Sequence, residues 1–84
     1  MTISAVEAQA LARDVVFTED EIIVSLVDGR RIAVPLAWFP RLAAASRAQR
    51  ENWVLLGDGE GIHWPDLDED ISVAGLLRGA KAAG

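Results

Sequence analysis

Cysteine and tyrosine are both absent from this 84-residue chain. Without a thiol there is no disulfide, no thiolate metal centre and no thiol redox chemistry. Small secreted domains usually depend on disulfides, so the cytoplasm is the expected compartment. Histidine occurs once, as His63, and a lone imidazole makes no zinc site without further ligands. No apolar run approaches the ~18 residues of a membrane span. The start, Met1-Thr2-Ile3-Ser4-Ala5-Val6-Glu7, has neither the basic flank nor the apolar core of a signal peptide. Basic residues are scarce: eight Lys and Arg stand against thirteen Asp and Glu, a net charge of −5. Phosphate backbones are held by clusters of Lys and Arg. Here Arg30-Arg31 is the only adjacent pair, so direct nucleic-acid binding is not expected.

What the chain does have is apolar residues, 51% of the total. That is incompatible with disorder and fits one small domain over residues 1–84. So short a body hides its apolar surface poorly, which points to a partner or a second copy covering part of it.

The order of elements follows from local chemistry. Ser4 and Glu7 have capping-box spacing ahead of an Ala- and Leu-rich stretch, so residues 1–13 read as a short helix or an arm. A strand begins at Asp14-Val15-Val16-Phe17, and Thr18-Glu19-Asp20 turns the chain. Glu21 to Val27 is a β-branched strand. Asp28-Gly29 suggests a type I′ hairpin, because Gly accepts the positive φ such a turn needs. Arg30 to Pro35 returns, and Pro35 ends that strand because it cannot donate to a ladder.

The period then changes. Leu36, Phe39, Leu42 and Ala43 fall at helical spacing, with Pro40 tolerated only in a first turn. Ser46-Arg47-Ala48-Gln49 is a second capping box, opening one short helical turn. Trp53 to Leu56 and Ile62 to Trp64 form a second hairpin about the glycine-rich Gly57-Asp58-Gly59-Glu60-Gly61. Within it Ile62 and Trp64 share one face. Asp66-Leu67-Asp68-Glu69-Asp70 reads as an acidic loop. Ile71 to Arg78 reads as a helix capped by Asp70 or Ser72 and stopped by Gly79. Residues 80–84 form a tail. The expected class is α+β: a small antiparallel sheet of two hairpins plus an N-terminal strand, packed with short helices.

The strings Asp28-Gly29-Arg30, Val34-Pro35-Leu36-Ala37-Trp38-Phe39-Pro40-Arg41-Leu42, Asn52-Trp53, Gly61-Ile62-His63-Trp64-Pro65 and Leu67-Asp68-Glu69-Asp70-Ile71-Ser72-Val73 occur in an unusual fixed order. In these the chain resembles a small bacterial domain family of unknown function, from about Asp14 to Gly79. The resemblance implies an α+β domain. It also implies relatives that are fused to a helix-turn-helix domain, or paired with a second small protein in a toxin–antitoxin-like arrangement. With Gly84 as the last residue, the helix-turn-helix appendage is expected to be missing. The family supplies no catalytic residues to carry over.

Each remaining cluster has a simple structural alternative. Asp66, Asp68 and Asp70 have the spacing of a calcium loop, but Ile71 and Leu77 stand where such a loop needs Gly and Glu. No serine sits in a nucleophile elbow that would give His63 a partner. The glycine-rich turn lacks the Lys and Ser/Thr of a phosphate loop. No catalytic residue, metal site or cofactor is therefore assigned. Trp and Arg are enriched at protein interfaces, so Trp38, Arg41, Arg30 and His63 are the candidate contact residues, with Phe39 and Leu42 facing inward. The expected function is a non-enzymatic protein-interaction domain, an antitoxin-like partner of another small protein or of itself. The alternative is a small-ligand sensor with a pocket between sheet and helix, lined by Trp38, Trp53 and Trp64.

Overall fold

A computed structural model describes residues 10–81. The Ser4–Glu7 capping box and the end of the tail lie outside them. The first strands are β1 (Ala12–Phe17), β2 (Glu21–Leu26) and β3 (Arg31–Pro35). They pair antiparallel in the order β1-β2-β3. Thr18 makes the first turn by accepting, at its hydroxyl, the N–H groups of Glu21 (3.0 Å) and Asp20 (3.3 Å). The second hairpin turns at Gly29 (φ +97°) while Asp28 keeps a negative φ. Leu26 N–H donates to the Arg30 carbonyl at 2.8 Å, so the loop has three residues and needs one left-handed position. The two-residue type I′ turn would have needed two.

A 3₁₀ turn (Leu36–Trp38) leads into α1 (Pro40–Ala43), whose first residue is the proline, and α2 (Arg47–Glu51) follows. Ser46 caps α2 as expected. Its hydroxyl accepts from Gln49 N–H at 3.1 Å, and its own N–H donates to Gln49 Oε1 at 2.9 Å. The second sheet contains β4 (Val54–Leu56), β5 (Gly61–Trp64) and β6 (Glu69–Ser72), again a meander. Last comes α3 (Val73–Arg78), capped by Ser72 and ended by left-handed Gly79.

The α+β class holds, but as two three-stranded sheets instead of one sheet of two hairpins. Two sequence boundaries move with it. β1 starts at Ala12, before a bulge between Ala12 and Asp14. The acidic stretch is half strand: Glu69 to Ser72 pair with Trp64 to Gly61, which delays the helix to Val73. Burial of Ile71 against Ile62 outweighs the loop character of its acidic neighbours.

Both sheets contribute to one buried cluster that includes Val15, Ile22, Val24, Leu26, Leu42, Ile62, Trp64 and Val73. Phe39 and Leu42 face inward. Ile62 and Trp64 share the buried face of β5, which turns His63 outward. Phe17 meets Trp64 edge-on, with centroids 6.2 Å apart, joining β1 to β5. A main-chain bond also joins the sheets, from Ala12 N–H to the Gly59 carbonyl at 2.7 Å.

Candidate functional site

The four contact candidates do not form one cluster. Arg30 sits at the β2–β3 turn. There its backbone N–H donates to Asp28 Oδ1 at 3.0 Å and its Nε to Oδ2 at 2.8 Å. That backbone N–H, helped by the guanidinium, holds the exposed Asp28 carboxyl below its ordinary 3.8. Arg41 points instead at the β5–β6 hairpin. Its Nη1 donates to the carbonyls of Asp68 (2.9 Å) and Leu67 (3.4 Å) and lies 3.8 Å from the Glu69 carboxylate. Asp68 is left-handed there (φ +51°), so Arg41 clamps a turn whose backbone is under local strain. Trp38 is half-buried, with the Lys81 ammonium 5.0 Å above its ring.

His63 occupies the outer face of the second sheet. Val73 N–H donates to the Glu60 carbonyl, so alternation makes His63 and Asp70 a non-hydrogen-bonded pair whose side chains lie close. His63 Nδ1 and Asp70 Oδ1 are in contact. The same face carries Val54, opposite His63 on β4. Asp66 accepts from Asn52 Nδ2 at 3.1 Å. The three aspartates of the D-x-D-x-D run are thus drawn in different directions. Among the described residues no group of three or more His, Asp or Glu side chains is placed to hold a metal ion.

The tryptophan pocket does not form. Trp64 is wholly buried in the core, and its Nε1–H donates to the Arg50 carbonyl at 2.9 Å. Trp38 and Trp53 pack against the core from outside it. A cleft of about 470 Å³ opens elsewhere, between residues 15–19 and Arg47, Arg50 and Glu51 of α2.

Arg50 is the residue sequence reasoning missed. Its Nε donates to the Leu42 carbonyl and its Nη2 to the Ala43 carbonyl, both at 2.8 Å. Its guanidinium lies 5.7 Å from the Phe17 centroid. It therefore closes the end of α1, supports β1 and receives Trp64. Its acceptors are backbone carbonyls, which leave no mark in the sequence. The available signal was an arginine seven residues beyond the end of a short helix.

The free strand edges complete the surface. Glu60 N–H donates to the Leu56 carbonyl at 3.1 Å, which turns Leu56 toward β5. Alternation then puts the N–H and C=O of Leu55 on the open side of β4. Val54, Leu55 and Leu56 are exposed at 47%, 37% and 42%.

Two antiparallel meanders around a shared core, with a helix closing each, define a small α+β domain. The family DUF2442, described as a protein of unknown function, matches residues 12–82, and the chain belongs to it. A crystal structure of a protein of unknown function from Rhodospirillum rubrum is similar, with TM-score 0.75 and 32% identity over 88% of this chain and 92% of that one. A solution structure of an uncharacterized protein from Chromobacterium violaceum shares the fold, with TM-score 0.73 and 24% identity over 88% of this chain and 70% of that one. No curated protein matches the chain. Among the described residues no helix is long and apolar enough to cross a membrane.

Proposed function

We propose that the chain is a non-enzymatic protein-interaction domain that docks a small basic protein along the free edge of β4. The observation that carries this reading is the strand itself. Three successive apolar side chains are exposed on a strand that, among the described residues, has a partner on one side only. Edge strands are normally blunted by charge, proline or a covering element, yet residues 52–57 carry no charge. Strand addition there would gain main-chain hydrogen bonds through Leu55 and bury apolar area on both faces. The net charge of −5 favours a basic partner and speeds its encounter.

A non-enzymatic role is supported by the use of the polar side chains. Arg41 and Arg50 are engaged with backbone carbonyls, and His63 faces outward beside Asp70. An antitoxin-like place in a two-gene module extends the reading and rests on the family resemblance alone. The partner would then be the product of the adjacent gene.

The test is light scattering on the chain alone and mixed with that product, repeated with Val54→Lys/Leu56→Lys. We expect a mixed complex that the double variant loses, with circular dichroism unchanged. Absence of a complex, or equal binding by the variant, overturns the proposal. A homodimer in place of the mixed complex reassigns the edge to a second copy.

A further inference from the structure

The cleft beside β1 is separate from the β4 edge and calls for a different ligand. Its floor is the outer side of β1, which among the described residues pairs with β2 alone. Thr18 N–H donates to the Glu21 carbonyl at 2.9 Å, so Thr18 and Val16 face β2. Alternation turns the N–H and C=O of Val15 and Phe17 toward the cleft. Its opposite wall is α2, a strand-and-helix groove of about 470 Å³, within the range of binding sites. Val16, half exposed at 49%, and Phe17 supply apolar area along it.

The charge in the groove is specific. Arg47 is engaged by Glu51 at 3.1 Å, and Glu19 stands at the β1 end. Arg50 forms no ion pair among the described residues. Two of its N–H groups are fixed on carbonyls, and those of Nη1 have no acceptor there. The guanidinium is thus held in place beside Phe17, charged and with donors to spare. A planar cation presented this way suits a carboxylate.

We propose that this groove binds an extended peptide that pairs with the open edge of β1 and sets a carboxylate on Arg50. The main chain of the peptide would satisfy Val15 and Phe17, as in other strand-addition sites. The carboxylate would come from a C-terminus or from an acidic side chain. Neither the groove nor Arg50 takes part in the β4 contact, so the two sites stand or fall separately.

The experiment uses the full chain, labelled with nitrogen-15, and three acetylated pentapeptides. One is Thr-Val-Thr-Val-Thr with a free C-terminus, one is its C-terminal amide, and one is Thr-Val-Asp-Val-Thr amide. A saturable shift of the Val15 and Phe17 amides and of Arg50 Nε is expected with a carboxylate peptide. Binding should be roughly tenfold weaker for the amide that lacks one. Whichever carboxylate peptide binds tighter identifies the source. Arg50→Lys, checked for fold by circular dichroism, should bring the carboxylate peptide down to the level of the amide. The comparison on the native chain decides the matter if that variant fails to fold. No shift at those three resonances with any peptide at millimolar concentration, or equal affinity for the amide lacking a carboxylate, overturns the proposal.

Discussion

Gly59 shows how narrowly one position can be specified. Its φ is +110°, and a Cβ there would stand 2.4 Å from the Ala12 carbonyl oxygen and 2.9 Å from its nitrogen. Strain and collision act together, and both colliding atoms are backbone, which cannot swing aside. Gly59→Ala should therefore cost about 2–3 kcal/mol or more, read as a lower urea midpoint with an unchanged slope. Gly29 makes a useful control, since a Cβ there meets nothing within 4 Å; its substitution should cost less, through φ alone. The sequence marked residues 57–61 as a turn, but not which glycine is indispensable. That requirement comes from Ala12, a residue far away in the chain. Of the contact candidates, Arg30 takes a partner two residues away, Asp28, whereas the neighbours of Trp38, Arg41 and His63 within the chain are brought by the tertiary fold and leave no local mark.

Elements governed by local chemistry were the easier ones to read. Ser46 at the start of α2, Ser72 at the start of α3 and Gly79 at its end each act through bonds to residues no more than four positions away. Ser46→Ala removes the bond from Gln49 N–H to the Ser46 hydroxyl, while the backbone N–H of residue 46 can still donate to Gln49 Oε1. The expected loss is about 1 kcal/mol, and α2 amides should exchange faster with solvent than those of β2. This variant also probes the groove wall without touching Arg50. Strand β6 was the element misread. Asp-Glu-Asp is depleted in strands, and nothing local announces that Ile71 will pack opposite Ile62. The division into two sheets was hidden for the same reason: a pattern of hairpins fixes which neighbours pair, not whether consecutive hairpins share a ladder.

At the scale of the whole molecule, Trp64 joins what would otherwise be two separate meanders. It is fully buried, meets Phe17 of the first sheet, and donates to the Arg50 carbonyl of α2. Trp64→Phe keeps much of the apolar contact but leaves that carbonyl without its donor. A loss of about 1–3 kcal/mol is expected, shared by probes in both sheets, so that fluorescence and far-ultraviolet dichroism still report a single transition. Two separated transitions would show that each sheet is stable without the other. Trp53, which packs against the core, remains as a reporter in the variant.

The bond from Ala12 to Gly59 also bears on the route by which the chain folds. Within each meander the pairings are between adjacent strands and close short loops, so they can form early at little entropic cost. Ala12 and Gly59 meet only once the whole intervening chain has been arranged. Their contact therefore belongs to the downhill side of the barrier. Disturbing it should shorten the lifetime of the native state while leaving the speed of refolding nearly untouched.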